Sequence, residues 1–300
     1  MLNLAALRYR DVLADAGGPV ARLTCGETSV LGERWFEAGA QLREDLRGGA
    51  WARRVWGSAD GSGTDRSPLV ARFKAVSEAL ERWAHLALHR DPAGVRHGFD
   101  VDPSSNGLAA FPGLWARQAR AAALTEAVER FNLLNWWEGR LGATARATEW
   151  PETDAVTIES DLPGVTVIVH RRSPRGFHAY GHACAADFAA ACRKAAVELE
   201  RHDRVVRHWA LARAGAPAGG AELEAMHPID RRALYFSTDE GHARFRQRVA
   251  EGRRAPRPVP RLICDGRVPG PWDRWASVWR VAYAPPSLRF LSREPDYFLW

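Results

Sequence analysis

From Leu114 to Glu138 the chain runs without a Gly or Pro, bounded by Pro112-Gly113 on one side and Gly139 on the other. An uninterrupted, Ala-rich run of this kind favours one long helix. Within it, Glu126-Ala-Val-Glu129-Arg130 sets two glutamates three residues apart, which brings both carboxylates to one helical face. Adjacent carboxylates repel, and they are stable when solvated, paired with Arg or Lys, or bridged by a divalent cation. A turn signal, Ser104-Ser105-Asn106-Gly107, comes before the run.

The spacing recurs. Glu78-Ala-Leu-Glu81-Arg82 repeats it on a second Ala-rich run, and Glu198-Leu-Glu200-Arg201 is a looser version expected to end the helix that follows Asp187. Of the 42 Lys and Arg residues only Lys74 and Lys194 are lysines, and each sits four residues before a motif glutamate. An ammonium is a compact point charge where a guanidinium is a planar fork, so retaining Lys at these two places points to a contact such as a phosphate oxygen. The plain alternatives are an i,i+4 salt bridge for each lysine and, for each glutamate, an ion pair with the following arginine on a solvated face.

Together these elements resemble the YcaO family, ATP-dependent enzymes that activate backbone amides of ribosomally made peptides. The family's Gly-rich turn and first motif helix are matched by Gly61-Ser62-Gly63 and Lys74-Ala-Val-Ser-Glu78-Ala-Leu-Glu81-Arg82. Its SNG turn, ExxER helix, Trp pair and Arg are matched by Ser105-Asn106-Gly107, Glu126 to Arg130, Trp136-Trp137 and Arg140. Its Gly-containing strand and third helix are matched by Gly181-His182-Ala183 and Lys194 to Arg201. Four positions depart: Lys74 stands where the family has Ser, Lys194 for Arg, Arg201 for Gln, and Phe131 for an Asp. The closing Pro295-Asp-Tyr-Phe-Leu-Trp300 has no counterpart of the proline-rich tail of azoline-forming members.

The resemblance implies a YcaO-like ATP-binding domain over residues 61–300, its three motif helices converging on Mg²⁺ and ATP. Residues 1–60 would then contact substrate or a partner. It implies that Glu78, Glu81, Glu126, Glu129 and Glu198 hold Mg²⁺, and that Glu126, Glu129 and Arg140 are catalytic. Lys74, Glu78, Glu81, Asn106, Lys194, Glu198 and Arg201 would contact the nucleotide. The substrate would be a precursor peptide, modified to an azoline, thioamide or amidine. A partner protein would supply leader recognition or sulfur, and a homodimer is compatible with this. Two other classes stay open: a degenerate, non-catalytic relative that binds peptide or partner, and a metallohydrolase independent of ATP, against which the absence of His from the motifs argues.

Composition narrows the rest. With 46% hydrophobic residues and 13 Trp, 300 residues can bury a substantial core. The net charge of +6 comes from arginines spread along the chain, without a basic block or an interleaved aromatic strip, which argues against nucleic acid. Arg8, Arg10 and Asp11 interrupt any signal-like run, and no membrane-spanning apolar stretch occurs, so a cytoplasmic protein is expected. Cys25, Cys184, Cys192 and Cys264 form no CxxC and read as buried thiols.

Local signals complete the expectation. Glu33 to Leu46 has helix-like spacing, Gly57 to Ser67 reads as a turn, and Ser67-Pro68 caps a helix. That glycine-rich stretch could seat a phosphate, but it lacks the P-loop spacing GxxxxGK[ST]. Strands are expected at Ala155–Glu159, Val165–Val169 and Phe177–Ala183, and loops at Arg213–Glu224 and Arg253–Pro260. Strands and helices alternate irregularly, which predicts an α+β fold with sheets covered by helices.

Overall fold

The computed structural model describes residues 4–47, 59–212 and 225–299. The Arg/Trp-rich run Trp51 to Trp56, the loop expected at Arg213–Glu224 and Trp300 lie outside the described residues. In chain order the main elements are α1 (Ala5–Arg8), β1 (Val20–Val30), β2 (Glu33–Leu42), α2 (Glu44–Arg47), β3 (Gly61–Asp65), α3 (Pro68–Leu88), β4 (Leu108–Phe111), α4 (Arg117–Trp137), β5 (Ala143–Ala147), β6 (Asp154–Ile158), β7 (Val165–Arg172), β8 (His178–Ala185), α5 (Phe188–Ala212), α6 (Pro228–Phe236), α7 (Asp239–Ala250), β9 (Leu262–Arg267) and β10 (Ser277–Tyr283). The architecture is α+β, and the sheets are antiparallel with helices packed on them.

Two units divide the chain. The first comprises Met1–Trp51, Ser58–Ala127 and Pro260–Ala284; the second comprises Ala52–Gly57, Val128–Val259 and Pro285–Trp300. The first unit holds two sheets, β1-β2-β3 and β4-β10-β9. Because β2 pairs with β3 from Phe36↔Asp65 to Ala40↔Gly61, its first sheet draws on both sides of residue 60.

Two local expectations are corrected here. Glu33 to Leu46 is mostly strand: Ala38, Ala40 and Leu42 are buried at alternate positions, and Leu31 and Gly32, both at positive φ, turn β1 back onto β2. Small Ala and Gly residues blur that period of two in the sequence. Gly61 to Asp65 is likewise a strand and not part of a turn. Its glycines serve close packing, since a Cβ on Gly61 would lie 2.2 Å from the Ala75 carbonyl oxygen of α3, and one on Gly63 would lie 2.0 Å from that of Ala71. The stripe Ala71, Ala75, Ala79 on α3 is fully buried against this strand.

The second unit has one sheet, β5-β6-β7-β8, with α5 packed on it through Ala191, Ala195 and Leu199. The strands expected near 155, 165 and 177 are β6, β7 and β8, joined at Gly164 and Gly176, both at positive φ. Its core is aromatic: Trp136, Trp137, Tyr180, Phe236, Phe245, Tyr297 and Phe298 meet edge-on. The Trp pair is therefore core. Helix α5 runs to Ala212, well past Arg201 where it was expected to end.

One buried histidine in this unit carries a pH prediction. The backbone N–H of Tyr180 donates to His202 Nδ1 at 3.1 Å, so Nε2 must carry the proton that the Ala233 carbonyl accepts at 2.9 Å. Burial pushes the imidazole down to about 4. The unfolded chain takes up that proton near pH 6.5, so between pH 6.5 and 4 it binds more protons than the folded chain, and folding loses stability as pH falls. The expected loss at pH 5 is about 2 kcal/mol from His202. Urea unfolding at pH 7 and pH 5 checks this, and equal midpoints would refute it.

Candidate functional site

In the first unit, strand ends and turns deliver backbone N–H groups to the motif glutamates. Ser62 N–H, from β3, donates to Glu78 Oε2 at 2.9 Å. Ala110 N–H, from β4, donates to Glu81 Oε1 at 2.7 Å, and Gly107 N–H donates to Glu126 Oε1 at 3.2 Å. Each of the three carboxylates is thus aimed by a backbone donor, not merely displayed on a solvated helix. Glu81 titrates well above the usual carboxylate range: burial is the main cause, the Glu126 and Glu78 carboxylates add to it, and the Ala110 N–H opposes them.

The turn that supplies Gly107 N–H is held from several sides. Asp102 Oδ1 accepts from both the N–H and the hydroxyl of Ser104, at 2.9 and 2.6 Å, and Asn106 Nδ2 donates to Asp102 Oδ2 at 3.4 Å. Asn106 is buried, and its Oδ1 has no hydrogen-bonding partner among the described residues. Arg280 of β10, fully buried over the Phe99 ring at 3.6 Å, donates to the carbonyls of Asp102 and Ser104 at 2.6 and 3.3 Å. Burial pushes its guanidinium down to about 10, against the pull of Asp102. Arg280 is not legible from the sequence, because one arginine among forty carries no local signal.

Lys74 donates to Asp65 Oδ2 at 2.8 Å and to the Thr64 carbonyl at 3.1 Å. Half of its side chain is exposed. Neither partner is the i+4 glutamate considered from the sequence.

In the second unit Glu129 is engaged on both oxygens: its Oε1 lies 2.7 Å from His182 Nδ1, and its Oε2 accepts Cys184 N–H at 2.9 Å. His182 is the middle residue of Gly181-His-Ala, a position to which the sequence pattern assigns no role. Lys194 donates to the Cys184 carbonyl at 3.4 Å. Arg201 Nη1 lies 2.9 Å from Glu198 Oε1, the pairing with a following arginine that the sequence allowed. Arg140 donates to the Pro286 carbonyl at 3.3 Å. Cys184 and Cys192 are buried, and burial pushes both thiols up, that of Cys192 to about 11, which makes them poor nucleophiles.

The donor set can be weighed against a metal. Among the described residues no group of three or more His, Cys, Asp or Glu side chains could hold an ion by itself. Mg²⁺ does not require one, because it takes one or two carboxylates and fills its octahedron with water and phosphate oxygens. Glu81 and Glu126, close enough to raise Glu81, fit that demand.

No family model matches the chain, and no curated protein matches it. Among solved structures, a chain of the E. coli microcin synthetase McbBCD complex is similar at 15% identity and a TM-score of 0.43, over 68% of this chain. The similarity spans 60% of that chain's own length. No helix of the described residues is long and apolar enough to cross a membrane.

Proposed function

We propose that this chain is an ATP-dependent enzyme of the YcaO type, which activates backbone amides in a ribosomally made peptide. The observation that supports this most is the first unit's acidic set, Glu78, Glu81 and Glu126, each carboxylate oriented by a backbone N–H, with the Glu81 carboxyl driven up chiefly by burial and further by Glu126 and Glu78. Keeping like charges together and partly buried is unfavourable unless a cation joins them. Glu81 and Glu126 would hold Mg²⁺, with Glu78 beside them. The ion's contribution is to offset charge on the phosphates of ATP.

The chain's own residues do the rest by positioning. A Cys, Ser or Thr side chain of the peptide, or external sulfide, adds to a backbone carbonyl and gives up its proton. The resulting oxyanion takes the γ-phosphoryl group of ATP, releasing ADP, and the C–O bond then breaks with phosphate as the leaving group. Asn106, with a buried amide oxygen that lacks a partner among the described residues, is suited to receive an N–H of the nucleotide or of the attacked amide. Lys74 is half exposed and could swing from Asp65 to a phosphate oxygen.

The test is direct. The full chain is incubated with Mg²⁺, ATP and a library of short Cys-, Ser- and Thr-containing peptides, with and without sulfide, and phosphate release is followed together with peptide mass. One phosphate released for each water lost from the peptide, or for each carbonyl oxygen exchanged for sulfur, supports the reading. Absence of ATP consumption with every such peptide discards it.

A further inference from the structure

The β3-α3 element of the first unit and the β8-α5 element of the second follow one plan, offset by 120 residues. β3 ends at Asp65 and β8 at Ala185; α3 starts at Pro68 and α5 at Phe188. Both strands end an antiparallel meander, β1-β2-β3 and β6-β7-β8. Gly61 presses on Ala75 and Ala79, where a Cβ would meet their backbone atoms at 2.2 and 2.3 Å. Gly181 presses in the same way on Ala195 and Leu199, at 2.0 and 2.3 Å. Ser67 caps its helix by accepting from Val70 N–H, and Asp187 by accepting from Ala190 N–H. Lys74 donates to the Thr64 carbonyl, and Lys194 to the Cys184 carbonyl. Each of these partners is displaced by the same 120 positions.

Close strand-helix packing can by itself select glycine. It has no need of lysine at a fixed place, and the chain's only two lysines fall on equivalent positions, as do Glu78 and Glu198. The copies differ at several charged positions, among them Asp65, which is Ala185 in the second, and Arg82, which is His202; the difference that falls in the acidic set is Glu81, which is Arg201 in the second. In the first copy that carboxyl is grouped electrostatically with Glu78 and Glu126 and accepts Ala110 N–H at 2.7 Å. In the second, the guanidinium sits 2.9 Å from Glu198.

We infer that the two elements are diverged copies of one cation-dependent unit, and that in the second copy the Arg201 guanidinium has taken the place of the ion, so that Glu198 is not a metal ligand. A guanidinium donating to a carboxylate supplies positive charge and directed hydrogen bonds at the position an ion would need, and it repels a second cation. The inference rests on the proposed function only for the identity of the ion in the first copy.

The test counts Mn²⁺ bound to the full-length protein without nucleotide, from the loss of the free-ion paramagnetic resonance signal. Glu198→Gln is expected to bind as many Mn²⁺ ions as the wild type; loss of one overturns the inference. Arg201→Glu is expected to bind one more, and the added ion should vanish when Glu198→Gln is combined with it. A folded Arg201→Glu, with a wild-type circular dichroism spectrum, that gains no ion also overturns it. If the wild type binds no Mn²⁺ without nucleotide, a gain in Arg201→Glu above that zero still supports the inference, while the proposed function stands or falls separately on binding of Mg²⁺ together with ATP.

Discussion

Glu126→Gln should lower nucleotide turnover by at least about 10²-fold, the usual loss when a directed electrostatic contact to a reacting group is removed. The same change should move the melting temperature by no more than a few degrees. The two expectations separate function from folding because Gln keeps an oxygen at the end of the side chain and can still accept Gly107 N–H, now 3.2 Å from Glu126 Oε1. What is lost is the charge. Without it the repulsion on Glu81 is relieved, so folding does not suffer, but one of the carboxylates that would hold the ion is gone. Turnover equal to wild type would remove Glu126 from the site. A large fall in melting temperature would mean that the carboxylate holds the fold together.

Gly107→Ala should cost more than about 3 kcal/mol, because two penalties act at one residue. Gly107 has φ +64°, a left-handed conformation that costs an L-residue about 1 kcal/mol. A Cβ there would also lie 1.8 Å from the Val281 carbonyl oxygen, so β10 would have to move. It cannot move cheaply, since Val281 N–H donates to the Gly107 carbonyl at 2.8 Å. Forcing extra volume into such a contact costs about 1–3 kcal/mol or more. Gly26→Ala, in β1, is the control: nothing lies within 4 Å of its added Cβ, and a shift within about 0.5 kcal/mol is expected. Urea midpoints of the two variants against wild type decide it, and similar midpoints would show that the turn tolerates a side chain.

How much of this was legible depends on what each signal requires. The motif helices were, because long Ala-rich runs without Gly or Pro, with Ser67 and Asp187 as caps, state their period and their start locally. The strands at 154–158 and 165–172 were found because β-branched residues cluster there, whereas the one at 178–185 has none and only Tyr180 favours a strand. Strand β3 was missed since its glycines mimic a turn, and their real reason, the approach of Ala71 and Ala75, lies across space. The glutamates were legible as a pattern, but not their backbone donors, because Ser62, Gly107 and Ala110 lie far from them in sequence. The pairing of Glu198 with Arg201 needed only a helix, and the sequence allowed it. The grip of Arg280 on the turn depends on a sheet pairing, β10 with β4, that no local spacing foretells.

The central claim is that carboxylates of the first unit receive Mg²⁺ with ATP. Its most direct test is calorimetric titration of Mg-ATP into the wild type and into Glu81→Gln, a change that keeps an acceptor for Ala110 N–H but removes one charge. The account predicts one site per chain in the wild type, strictly dependent on Mg²⁺, with affinity at least about tenfold weaker in Glu81→Gln, the loss of about 1.4 kcal/mol of charge-assisted binding. No heat of binding in the wild type, or equal affinity in the two proteins, would contradict it.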